Sequence, residues 1–140
     1  MQPPLRTNHW LNERLNQIWK LLYPEVSRPN QVKAIFKGKW KNKFGHIIKR
    51  GENTEIAINS LFTHPMVPEY IIDTTLAHEL THYMHGFGSP LKRQHKHPHK
   101  GGIVTKELLH RGFGHSIRLE KRFYKTLWPV LYKELTKKTK

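Results

Sequence analysis

The stretch His78-Glu79-Leu80-Thr81-His82 places two imidazoles four residues apart, with a carboxylate directly after the first. Positions i and i+4 of an α-helix stack on one face, so both rings can reach one zinc ion while the glutamate is angled toward a metal-bound water. Zinc lowers the pKa of such a water toward ~7, and the carboxylate takes its proton as hydroxide attacks a carbonyl. A surface helix with two solvated histidines would show the same string. The context argues for a site: Ile72, Leu76, Leu80 and Tyr83 form an apolar stripe on a different face from the two histidines. One face is thereby left for a core and another for a metal.

A catalytic zinc needs a third protein ligand and one open position. His85 shares the face of His78 and His82. It is nevertheless ~10 Å from His78 along a helix rising ~1.5 Å per residue, too far to share a metal with bonds of ~2 Å, and reads as a helix-end residue. His95, His97 and His99 follow in a loop, and Glu107 stands on the next helical segment. Spacing leaves these four open.

The elements that must position these residues are legible as an α+β pattern. Leu11, Leu15, Ile18 and Leu22, with Trp19 beside them, form the stripe of an amphipathic helix between Leu5 and Tyr23, closed by Pro24. Three β-prone runs follow, Val32 to Phe36, His46 to Lys49 and Glu55 to Ile58, separated by Gly38, Gly45 and Gly51. They predict a small, mostly antiparallel three-stranded sheet. Pro68 and Glu69 open a second helix that carries the histidines, with its stripe running on to Phe87 and the glycines Gly86 and Gly88, and this helix is expected to cross the sheet. Residues 89–102 read as a mobile cationic loop. Ile103 to His110 is a short helical candidate, and Ser116 to Leu135 a last helix that Pro129 kinks or splits. Lys133 to Lys140 reads as a frayed basic tail on a single domain spanning residues 1–140.

Composition narrows the chemistry. The chain of 140 residues has 25 Lys+Arg against 10 Asp+Glu, a formal charge of +15, which favours polyanions or acidic surfaces as partners. With no cysteine, disulfides, thiol catalysis, iron–sulfur clusters and Cys-based zinc fingers are excluded, and any metal falls to His, Asp and Glu. No long apolar window and no secretory leader is visible, so no membrane partner is expected and an intracellular protein, cytoplasmic or nucleoid-associated, is the default. Lys37, Lys39, Lys41 and Lys43 alternate through the sheet region, with Trp40 and Phe44 among them. Lysines tracking phosphates with an aromatic for base stacking suit DNA, preferably single-stranded or partly open. Lys92, Arg93, Lys96 and Lys100 would hold a polyanion beside the zinc site. The bland readings are a lysine-protected edge strand, core aromatics and a solubility role.

From about Leu11 to Ile117 the chain resembles the SprT-like zinc metallopeptidases, a family that includes Spartan-like proteases of DNA–protein crosslinks. The resemblance rests on the N-terminal amphipathic helix, the strand Glu55-Ile56-Ala57-Ile58-Asn59, and the run from Ile71 through His82. It implies a zincin-like fold, one Zn2+ per chain, and a third histidine in a loop followed by glycine, with a bulky apolar residue four positions on. His99, with Gly101, Gly102 and Ile103 after it, takes that place. The mini-gluzincins, also similar, imply Glu107 instead. The expectation is thus a metalloendopeptidase in which His78, His82 and His99 hold zinc and Glu79 is the general base. Its substrate would be a protein or peptide, including protein bound or crosslinked to DNA. The competing expectation is a non-catalytic DNA-binding module with a structural His-based zinc site, which an occupied fourth ligand position would favour.

Overall fold

A computed structural model describes residues 4–137. The first helix, α1 (Asn8–Leu22), starts where the Thr7 hydroxyl accepts a hydrogen bond from the Trp10 amide at 3.1 Å, a side-chain N-cap. It buries Leu11, Leu15, Ile18, Trp19 and Leu22. Strands β1 (Val32–Phe36), β2 (Gly45–Arg50) and β3 (Asn53–Ile58) form one sheet in the order β1-β3-β2. The remaining helices are α2 (Glu69–Met84), α3 (Ile103–His110), α4 (Gly114–Thr126) and α5 (Trp128–Leu135), so the class is α+β.

The sheet is mixed rather than mostly antiparallel. β2 pairs antiparallel with β3, Ile47 opposite Ile56, but β1 lies parallel to β3, Val32 opposite Thr54 and Phe36 opposite Ile58. The cause is a connection that local strand propensity does not report: residues 37–44 cross the end of β3, so β2 returns on its far side. Fully buried Asn59 holds that crossing, its Nδ2 donating to the carbonyls of Trp40 at 2.8 Å and Lys43 at 2.9 Å while its amide donates to Phe44 at 2.8 Å. Trp128 clasps it from the other side, Nε1 donating to the Lys41 carbonyl at 2.7 Å. The outer edge of β1 is covered by α1, where Asn12 exchanges two bonds with Ala34 and Asn8 Oδ1 accepts from the Phe36 amide. β2 is left as the open edge.

α2 is buried almost all round, beyond the expected stripe. Thr74, Thr75, Glu79, Thr81 and His82 are as inaccessible as Ile72 or Leu76, because the sheet, α1, α3 and α4 all pack on this helix. Its threonine hydroxyls donate to carbonyls one turn back, on Tyr70, Ile71 and Ala77. The helix ends at Met84, and Phe87 lies beyond it. The long C-terminal helix divides at Leu127, with Pro129 in the first turn of α5. Lys133 to Leu135 form the last turn of α5, and residues 138–140 of the basic tail lie outside the described residues.

The loop after α2 is anchored at its start. The Ser89 hydroxyl donates to the Tyr83 carbonyl at 2.7 Å, the Gln94 amide donates to His85, and Leu91 packs on the core. Among the described residues no helix is long and apolar enough to cross a membrane.

Candidate metal centre

Adjacent turns of α2 bring the Nε2 atoms of His78 and His82 to 3.1 Å. The loop delivers a third ring: His99 stacks on His78 with centroids 5.9 Å apart and meets His82 edge-on at 4.7 Å. One ligand atom from each of His78, His82 and His99 lies within 4.8 Å of the others, close enough for the trio to hold a metal ion. Among the described residues no fourth His, Asp or Glu joins them.

The other candidates for third ligand go elsewhere. Glu107 is held by Arg111 at 2.8 Å, with His85 Nε2 3.9 Å from its second oxygen. His95 packs on His85, centroids 4.6 Å apart, and His97 is exposed. Two glycines shape the turn after His99. Gly101 and Gly102 have φ of +75° and +64°, the left-handed region where a Cβ is strained, and α3 begins directly afterward.

Burial sets the proton inventory. It pushes His78 down to about 4 and His82 down to about 3, with neighbouring histidines adding to the effect, so both rings are neutral at pH 7. Neutral imidazole is the coordinating form. His82 Nδ1 is buried with no hydrogen-bond partner in the protein. Glu79, 4 % exposed, is raised to about 8 by burial, opposed by the charge of Lys43 and reinforced by Glu120.

The trio and Glu79 open on one cleft of about 350 Å3, lined also by Lys43, Gly45, His46, Ile47, Phe87 and Pro98. Gly45 lets β2 approach this closely, since a Cβ there would stand 2.7 Å from the Ala57 carbonyl oxygen and 2.9 Å from Thr75 Cγ2. The cleft therefore has the start of the open-edged strand as one wall and the loop carrying His99 as the other.

The basic residues lie on the two segments that border this cleft. Lys43 lines it directly, and Lys37, Lys39 and Lys41 are exposed on the same crossing segment, with Lys37 3.5 Å from Glu55. Lys92, Arg93, Lys96 and Lys100 are exposed on the opposite loop, Arg93 lying over the Phe87 ring. Phe44 is packed edge-on against Phe62, Phe123, Tyr124 and Trp128. Trp40 is half-buried beside His46, with the Lys43 ammonium 4.5 Å from its ring centre.

Two site residues were missed by reading the sequence. His46 appeared as a strand residue, and nothing local marks it as facing the cleft. A signal existed for Glu120, because Ile117, Glu120, Phe123 and Leu127 share a helical spacing that puts a carboxylate on an apolar face. No protein-family model, curated protein or solved structure matches this chain.

Proposed function

We propose that this chain is a zinc-dependent metallopeptidase with a zincin-like fold of the SprT-like type. The observation that carries the reading is the convergence of three histidines, two of them held neutral by burial, on one point of a cleft that also contains the buried carboxylate of Glu79. The donor set fits the metal. Three imidazoles with no fourth protein ligand are a catalytic zinc's complement rather than a structural one. Two Nε2 atoms facing each other at 3.1 Å are also a pair of lone pairs suited to a shared cation.

When bound, zinc supplies Lewis acidity toward a water and a carbonyl, and a positive charge that favours ionised Glu79. Glu79 is placed to accept the proton of the attacking water as the new C–O bond forms. It then returns that proton to the amine nitrogen as the C–N bond breaks. Burial serves the first half of this cycle, since a carboxylate of raised pKa is a stronger base toward the proton of the attacking water. His78 and His82 are kept neutral by burial, the form that coordinates, and Lys43 and His46 line the cleft beside them.

The charge of +15, with Lys43 lining the cleft and further basic residues exposed on the loop that carries His99, favours proteins carried on DNA as the substrate class. The test pairs metal analysis with hydrolysis of a DNA-bound protein by wild type and Glu79→Gln. One zinc per chain with loss of cleavage in the variant supports the reading. Zinc present in both with no hydrolysis by wild type returns the protein to a non-catalytic metal module.

A further inference from the structure

The segment Asn42 to Gly45 borders two cavities. Lys43 and Gly45 line the cleft of the histidines, whereas Asn42 and Phe44 line a second cavity of about 230 Å3, together with Glu120, Lys121, Tyr124 and Lys125. The segment thus separates the two cavities, each bordered by two of its four residues. The second cavity has aromatic walls: the Phe44 and Tyr124 rings stand edge to face, centroids 5.6 Å apart, and the Tyr124 hydroxyl donates to Asn42 Oδ1 at 3.2 Å.

Glu120 is the acidic group of this cavity, one helical turn from Tyr124 on the same face of α4. Although the chain has 25 Lys and Arg, Glu120 forms no ion pair among the described residues. Lys121 and Lys125 stand on the neighbouring helix face, exposed, and leave it unpaired. A half-buried carboxylate is costly without a cation. Its aromatic surroundings would accept an alkyl stem along the rings and an ammonium or guanidinium at the end.

We infer that this cavity is a side-chain subsite of the neighbouring cleft, with Glu120 as the specificity-determining residue for a lysine or arginine of the bound peptide. The inference rests on the peptidase reading for its substrate, and its binding step can be measured without hydrolysis. The location follows from the shared segment, which borders both the cleft and this cavity.

The experiment uses two capped peptides that differ at one position, lysine in one and norleucine in the other, with that position moved along either side of the scissile bond. Binding to metal-free wild-type protein is followed by the ring resonances of Phe44 and Tyr124. At one position the lysine peptide should bind about tenfold more tightly than its norleucine partner and move both rings, a preference of the size that a single buried polar contact supplies. Glu120→Gln should erase the difference, and Glu120→Asp, which shortens the reach, should leave part of it. With zinc restored, the preference should appear in KM rather than kcat. Equal binding of both peptides at every position, or a lysine preference that persists in Glu120→Gln, overturns the subsite. Selective binding without any cleavage overturns the peptidase reading and leaves the subsite standing.

Discussion

His78 Nε2 and His82 Nε2 face each other at 3.1 Å across one turn of α2, in a helix buried almost all round. Two imidazoles that close share either a proton or a cation, and burial holds both rings in the neutral state that coordinates a metal. One zinc per chain is therefore expected. His78→Ala and His82→Ala should abolish stoichiometric binding, and His99→Ala should lower occupancy more than Glu107→Ala, His95→Ala or His97→Ala. Isothermal titration of the six variants gives the ranking. At free zinc 1,000-fold above Kd the bound ion adds about 4 kcal/mol of stability, so a chelator should lower Tm by several degrees. A Glu107→Ala variant at the top of the ranking would contradict the geometry.

Glu79→Gln keeps the volume of the side chain but cannot accept a proton. Zinc content should be unchanged and hydrolysis should fall by at least ~100-fold, the low end of what a positioned general base contributes. The paired measurement is metal stoichiometry and initial rate on one preparation. Loss of zinc together with activity would make Glu79 structural.

The HExxH helix, the short strands and the division near Pro129 were legible because each depends on local periodicity or on one backbone-restricting residue. The parallel pairing of β1 with β3 was not. It depends on Asn59 gripping the Trp40 and Lys43 carbonyls, contacts between residues whose spacing carries no period. The third ligand was open for a related reason: His95, His97, His99 and Glu107 are equivalent in spacing. They are separated only once Arg111 engages Glu107, His85 takes His95, and His99 swings to the α2 pair. Trp40 and Phe44 read alike in sequence, yet Phe44 belongs to the aromatic core while Trp40 lies half-buried at the cleft's edge.

Asn59 is fully buried, donates two side-chain bonds to the crossing segment and accepts a third from the Leu61 amide at 3.0 Å. Asn59→Ala leaves two partly buried carbonyls and a buried amide without these partners, at a cost of about 2–4 kcal/mol given ~1–3 kcal/mol for each unsatisfied group and partial relaxation. Because the same segment carries Lys43 and Phe44, peptide affinity should fall as well, with zinc affinity little changed. Denaturant unfolding and zinc titration of this variant separate the two effects.

Burial pushes Glu120 up to about 7 from an unfolded value near 4.5. A carboxyl raised on folding favours the native state while it is protonated, so its contribution is present below pH ~4.5 and is lost as pH rises toward ~7. Glu120→Gln removes that loss. In metal-free protein the variant should match wild type at pH 4 and be more stable at pH 8 by on the order of 1–3 kcal/mol, after allowing for partial solvent access. Unfolding free energies of the pair across this range check the sign. Equal curves would mean that Glu120 is ionised and solvated in the native state.

The last expectation concerns the charge. Lys43 stands on one wall of the cleft, and Lys92, Arg93, Lys96 and Lys100 on the loop that supplies the other, so a strand of DNA lying along the cleft would contact both segments. Binding should weaken linearly in log–log form with salt, each neutralised phosphate contributing a slope of ~0.7–0.9. Base sequence should matter little, since lysines read the backbone. Neutralising the loop cluster, Lys92, Arg93, Lys96 and Lys100 together to Gln, should reduce the slope by up to ~3–4. Trp40 tests stacking separately. Its ring lies near the Lys43 ammonium and His46, so Trp40→Ala should reduce any preference for single-stranded over duplex DNA without altering zinc content. Cleavage of a DNA-bound protein should exceed cleavage of the same protein free, because a shared strand raises local substrate concentration. Salt-independent binding, with proteolysis indifferent to added DNA at low salt, would reduce the lysines to a solubility role and leave a general peptidase.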